Sequence, residues 1–129
     1  QLTIAYADMD NLKMVNDRYG HIEGDFSIRA LANCLTELFA GESSIVGRVG
    51  GDEYAVIAMT DEVGSKDELI KRKEELIANL NKTAEKPYKI NMSVGIYECK
   101  CENIYDIKDA LDKADDLLYA VKRNRKKEI

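Results

Sequence analysis

Long hydrophobic runs are missing from this sequence: no apolar stretch approaches the length needed to cross a bilayer. Cysteine is scarce. Cys34, Cys99 and Cys101 are the only three, and they lack metal-ligand spacing. Cys99 and Cys101 are two apart on an expected strand and badly placed to bond to each other, so reduced thiols are expected rather than a disulfide framework. Positive charge is in the minority, 19 Lys and Arg against 24 Asp and Glu, for a net charge of -5. That balance argues against a general nucleic-acid binder. Proline occurs once, at Pro87, where it marks a boundary, and histidine once, at His21. There is no internal repeat, low-complexity tract or interdomain linker. What is present is ordinary for a folded chain: 129 residues, 45% hydrophobic and 33% charged, enough for one domain with one core.

The first apolar run, Leu2-Thr-Ile-Ala-Tyr-Ala7, is hydrophobic on both faces. Such a strand belongs inside a sheet covered by helices. It is an unusual way to begin a domain, so an upstream segment is expected. Asp8-Met-Asp10 ends the strand, with Asp8 and Asp10 on one side of the backbone if strand geometry persists. Asn11 to Asp17 reads as a short helical turn, and Tyr19 to Gly24 as a loop punctuated by two glycines. Ile28, Leu31, Ala32, Leu35 and Phe39 then form one face of an amphipathic helix ending near Gly41. Ile45 to Val49 and Tyr54 to Met59 are β-branched or aromatic and flank Gly50-Gly-Asp-Glu53, which reads as a hairpin. Ser65-Lys-Asp-Glu68 is a capping box opening a second long helix, with Leu69, Leu76, Ile77 and Leu80 as its stripe. Lys89 to Tyr97 alternates as a strand with one strongly apolar face. Ile107, Ala110, Leu111, Ala114, Leu118 and Val121 describe a third helix that runs into a basic end. The order predicts an α+β fold: a central mixed or antiparallel sheet of about five strands, flanked by helices.

If the first strand and the hairpin are neighbours, Asp8, Asp10, Asp52 and Glu53 converge at one edge. Magnesium takes a few carboxylates, keeps some waters and accepts phosphate oxygens for the rest, so carboxylates from two strands suit phosphoryl transfer. Four surface acids among 24 would look the same from the sequence. Backbone N–H groups near Asn11 and Leu12, at the start of a helix, form an anion site, and Lys13 adds a charge beside it. Lys122 and Lys126 share a helix face. They either reach a phosphate chain or complement the helix dipole, and the residues alone favour the dipole. No aromatic residues are interleaved with these charges, so an RNA-binding tail is disfavoured.

The motifs resemble a known family, the GGDEF diguanylate cyclases. Gly50-Gly-Asp-Glu-Tyr54 is similar to the family signature. The run from Asp8 to Asp25 follows its D-x-D-x-F-K-x-I-N-D-x-x-G-H-x-x-G-D pattern, with Leu12 where Phe is usual. Ser93-Val-Gly95 resembles the S-I-G strand and Ala114 to Lys122 the A-D-x-A-L-Y-x-A-K helix. The four blocks stand in order and span nearly the whole chain.

The resemblance implies a single catalytic domain, 1–129, related to the polymerase palm and the adenylyl cyclases. It would condense two GTP into cyclic di-GMP and release two pyrophosphates, in a transient antiparallel homodimer. It implies Mg²⁺ or Mn²⁺ held by Asp8, Asp52 and the Met9 carbonyl. Glu53 would assist the metal or deprotonate the attacking hydroxyl, with Asp52 and Glu53 the catalytic pair. Asn11, Leu12 and Lys13 would hold the β- and γ-phosphates, reinforced by Lys122 and Lys126, with Gly50 and Gly51 letting nucleotide approach. Asn16 and Asp25 would read guanine, whose adjacent N1–H and N2–H donors suit a carboxylate; adenine lacks that pair. His21 is expected to be a structural hydrogen-bonding residue. An upstream sensory or receiver domain, a cytoplasmic location with any anchor upstream, and no nucleic-acid partner complete the expectation.

The chain also departs from the pattern. Gly41-Glu-Ser-Ser44 stands where many members carry an R-x-x-D inhibitory site, so no product inhibition is expected there. Arg125-Lys-Lys127 replaces G-R-N, leaving Lys126 as a point charge without a bidentate fork. Tyr54 replaces Phe, which adds only a hydroxyl. The D-x-L-T segment and the helices before the first strand are absent, so the domain is expected to lack its N-terminal helical segment. The alternative is a GGDEF domain that binds GTP without turnover and acts as a regulatory module. A palm-like cyclase or polymerase of other specificity is disfavoured by Asp25.

Overall fold

The computed structural model describes residues 1–100 and 102–128, the side chains at positions 104 and 125–128 excepted. Cys101 and the side chain of Lys126 therefore lie outside the described residues. The elements are β1 (Leu2–Met9), α1 (Leu12–Tyr19), α2 (His21–Leu38), β2 (Ile45–Gly50), β3 (Glu53–Met59), α3 (Thr60–Val63), α4 (Lys66–Ala84), β4 (Met92–Cys99) and α5 (Ile104–Glu128). Among the described residues the sheet has four strands, in the order β2-β3-β1-β4, and every pairing is antiparallel. About five strands were expected; only four stretches have both the length and the apolar pattern of a strand.

β1 lies inside the sheet because both of its faces are apolar. Ala5, Ala7 and Met9 join Val56 and Ala58 under Leu31, Leu35 and Leu38 of α2, Phe39, and Leu69 and Ile77 of α4. Ile4, on the opposite face, packs with Ala110 and Ala114 of α5, against Tyr6, Ile57 and Tyr97. α5 lies across β1 and β4. It comes very close to β4 at Gly95, where a Cβ would stand 2.3 Å from the Leu118 amide nitrogen and 2.4 Å from the Ala114 carbonyl oxygen. Only glycine admits the helix there.

The links are short and specific. α1 and α2 are joined by Gly20 alone, with φ 92°, so the expected loop through Gly24 is instead the first turn of α2. One glycine in the positive-φ region turns the chain, and the second serves a contact described below. Ser65 caps α4, its hydroxyl oxygen accepting from the Glu68 amide at 3.3 Å, as the capping box predicts. Arg72 ties α4 to two other helices by donating to Leu38 O at 3.0 Å and Val63 O at 2.7 Å. β4 begins at Met92 rather than Lys89. Ile90 is nonetheless fully buried, since the Asn81 side chain donates to Ile90 O and accepts from Ile90 N, at 2.8 and 2.7 Å. A side-chain amide thus does the work of a strand partner.

Candidate active site

The pairing of β1 with β3 brings the two acidic motifs together. Asp8 stands opposite Glu53 in the register, at the end where the hairpin turns. A bulge between Arg48 and Gly50 shifts the β2–β3 register, and Gly51 has a φ of 29°. Arg48 Nε donates to Gly51 O at 2.7 Å, closing the turn from below. Asp52 sits in that turn and, with Asp8, Met9, Tyr54 and Met92, borders one small cavity.

Asp8 is the unusual group. It is only 8% exposed, and its Oδ1 has no hydrogen-bond partner. Its Oδ2 meets Lys122 Nζ of α5 at 2.6 Å. Burial pushes its carboxyl up to about 6, and the Asp52 carboxylate pushes the same way while Lys122 opposes both. A buried carboxylate oxygen left unpaired beside a second carboxylate is a natural seat for a divalent cation. Glu53 is exposed, and no group of three or more His, Cys, Asp or Glu gathers at metal-binding geometry among the described residues. Two carboxylates suit a magnesium-like ion, which keeps waters and takes phosphate oxygens for its remaining positions. Met9 follows Asp8, buried and paired with Met92.

Asp10 stays at the same sheet edge as Asp8, tied to Ser93, the residue of β4 that pairs with Asp8. Its Oδ1 accepts from Ser93 Oγ at 2.7 Å, and its amide donates to Asn91 O at 2.9 Å. The spacing of Asp8 and Asp10 put them on one side of the backbone, and Ser93 lies against both; which strand supplies that serine depends on the sheet order. Asn11 then adopts a left-handed conformation, φ 61° and ψ 28°, and N-caps α1 without a side-chain hydrogen bond. The first turn of α1 is left with its amides free of a side-chain cap, as an anion site needs. Asn11 and exposed Lys13 border a shallow hollow there, while Leu12 packs partly against the core.

Asn16 and Asp25 come from different helices, which pack closely where Asn16 meets Gly24. A Cβ on Gly24 would stand 1.8 Å from Asn16 Oδ1. The Asn16 side chain therefore rests on the bare backbone of α2, one residue before exposed Asp25. His21 opens α2 as an exposed residue. Gly41 to Ser44 closes on α3, where the Ser43 amide donates to Glu62 Oε1 at 3.1 Å.

The sequence profile described as "Diguanylate cyclase, GGDEF domain" matches residues 1–128. The chain belongs to the GGDEF family. Diguanylate cyclase DgcP of Escherichia coli is 31% identical to this GGDEF chain over 128 residues, which are 98% of the chain and 37% of DgcP. The chain thus spans little more than a third of that relative. The active GGEEF domain of a diguanylate cyclase from Vibrio cholerae has a similar structure, with a TM-score of 0.73 at 27% identity over 95% of this chain and 77% of that one. So does the GGDEF domain of DgcB from Caulobacter crescentus, solved in complex with c-di-GMP, with a TM-score of 0.74 at 28% identity over 95% and 72%. The fold is that of the GGDEF cyclase domains, an antiparallel sheet flanked by helices. No helix among the described residues is long and apolar enough to cross a membrane.

Proposed function

We propose that this GGDEF domain is a diguanylate cyclase: it joins two GTP molecules into cyclic di-GMP and releases two pyrophosphates. The observation that carries the reading is the buried, unpartnered Oδ1 of Asp8 beside Asp52 at the tip of the Gly50-Gly-Asp-Glu-Tyr54 hairpin. Asp8, Asp52 and the Met9 carbonyl would hold Mg²⁺ or Mn²⁺, which when bound neutralises phosphate charge and acidifies the attacking hydroxyl.

The chain's own groups do the rest. The amides that open α1, from Leu12 onward, and the Lys13 ammonium bind the β- and γ-phosphates, with Asn11 setting the entry angle of the helix. Lys122 leaves Asp8 for the triphosphate, and Lys126 adds charge on the same helix. Gly50 and Gly51 present bare backbone to the nucleotide; nothing lies within 4 Å of a Cβ at either. Asn16 and Asp25 accept from the guanine edge. Glu53, exposed opposite Asp8, takes the proton of the 3′-hydroxyl. The 3′-oxygen forms a bond to the α-phosphorus of the partner's GTP, the bond from that phosphorus to the bridging oxygen breaks, and pyrophosphate leaves. A transient antiparallel pairing of two domains performs the step twice. An upstream sensory or receiver module would govern that pairing, and the domain would work in the cytoplasm.

Incubating the full-length protein with GTP and Mg²⁺ and separating the products by chromatography tests this. Cyclic di-GMP and pyrophosphate are expected. The second reading, a GTP-binding regulatory module, draws on Glu53 standing outside the carboxylate pair. Binding of GTP without product would favour it.

A further inference from the structure

The segment between α4 and β4 reaches back to both helices that carry the guanine-reading side chains. Tyr88 is 6% exposed, and its hydroxyl donates to Glu23 Oε1 at 2.9 Å. The same hydroxyl oxygen accepts from Ser27 Oγ at 3.3 Å. Lys86 Nζ pairs with Glu23 Oε1 at 2.9 Å and lies 4.5 Å from the centre of the Phe26 ring. On the other helix, the Tyr19 ring sits 5.0 Å from that of Tyr88, and its hydroxyl reaches Pro87 O at 3.4 Å. Lys86, Pro87 and Tyr88 therefore grip the last residue of α1 and the first turns of α2 at once.

These anchor points bracket the reading residues. Glu23 and Phe26 flank Gly24 and Asp25 in the chain, and Tyr19 lies one turn beyond Asn16 on α1. The only covalent link between the two helices is Gly20, a glycine at φ 92°, so their relative placement rests on packing at Gly24 and on this grip from the α4–β4 segment. Selection of guanine requires Asn16 and Asp25 to be held together within a fraction of an ångström, because a polar group displaced by about 1 Å no longer pairs. We infer that Tyr88 and Glu23 are positioning residues for purine selection, fixing the spacing of Asn16 and Asp25 without touching nucleotide. The inference rests on the guanine-reading role proposed above. The Glu23 carboxyl is held below its usual range by Lys86 first and Tyr88 second, so the clamp is ionised at neutral pH.

The test measures binding of the α,β-methylene analogues of GTP and ATP to the full-length protein by calorimetric titration, so that no turnover intervenes. Tyr88→Phe keeps the buried ring and removes only the hydroxyl; Glu23→Ala removes the acceptor; Glu23→Gln restores it without the charge. Tyr88→Phe and Glu23→Ala are each expected to lower the preference for the guanine analogue about tenfold, the worth of one hydrogen bond to a charged group. Affinity for the adenine analogue should stay unchanged, and Glu23→Gln should recover part of the loss. An unchanged preference in both variants, or an equal loss for both analogues, would overturn the inference and leave the clamp a mere loop anchor. A wild-type protein that binds the two analogues equally would instead overturn the role of Asn16 and Asp25 itself.

Discussion

Replacing Gly95 with alanine would drive a methyl carbon into the backbone of α5. The new Cβ would lie 2.3 Å from the Leu118 amide nitrogen, 2.4 Å from the Ala114 carbonyl oxygen and 2.8 Å from the Leu118 Cα. No rotamer relieves contacts with backbone atoms, so the helix must retreat by about 1 Å to approach van der Waals separation. The retreat opens gaps around Ile4, Ala110 and Ala114, which are packed to within 1% of full burial. Overpacking of this kind costs about 1–3 kcal/mol, and the upper end applies because neither colliding group can turn aside. For a domain of this size a loss of that order lowers the unfolding midpoint by about 10 °C. Lys122, one turn beyond Leu118, moves with the helix, so its 2.6 Å pair with Asp8 should break as well. Scanning calorimetry should record the lower midpoint, and product formation, assayed well below it, should also fall. An alanine variant with the wild-type midpoint and rate would refute the close seating of α5 on β4.

Four further outcomes follow from the same geometry. Gly24→Ala displaces the Asn16 side chain but gains about 1 kcal/mol of helix propensity, so the unfolding midpoint should barely move while the GTP-analogue affinity drops about tenfold in titration. Asp25→Ala should weaken selectivity for GTP over ATP more than triphosphate binding; equal loss for both nucleotides would contradict its role. Ser93→Ala removes the donor to Asp10 and should cost about 1.5–3 kcal/mol in urea unfolding, with weaker triphosphate binding as α1 loosens. Asp8, at about 6, holds its proton more tightly folded than unfolded, where the value is 3.8. The stability of the metal-free wild type relative to Asp8→Asn should therefore fall as pH rises from about 4 to 6 and level off above; parallel profiles for the two proteins would refute the shift.

The sequence was most legible where the signal was local. β1 announced itself by an apolar run with both faces buried, and α4 by its capping box and stripe. β4 was half legible. Its Met92 and Ile96 face was plain, but Ser93 and Gly95 looked like a polar or small face and proved to be the seat of a helix, because glycine records close approach only by the absence of a side chain. The loop expected from Tyr19 to Gly24 shrank to Gly20, since a glycine that turns the chain and one that admits a neighbouring side chain look alike in one dimension. Asp8 and Asp52 were legible as a pair once two strands were assumed adjacent. That Ser93 would lie against Asp10, and that Lys122 would meet Asp8, depended on the sheet order and on the crossing of α5, which spacing does not carry. Tyr88 and Glu23 meet across 65 residues and left no local trace at all.

The position of β2 has a mechanical consequence. It is an edge strand, largely exposed, while α5 braces β1 and the other edge, β4. Asp8 is thus mounted on a beam supported from both sides, and Asp52 in a turn beyond the last paired residue of β3, held across by the Arg48–Gly51 bond. Amide exchange should be fastest along that turn. Arg48→Ala should therefore raise exchange at Gly51 and Asp52 and weaken magnesium binding while leaving the Asp8 side of the gap in place.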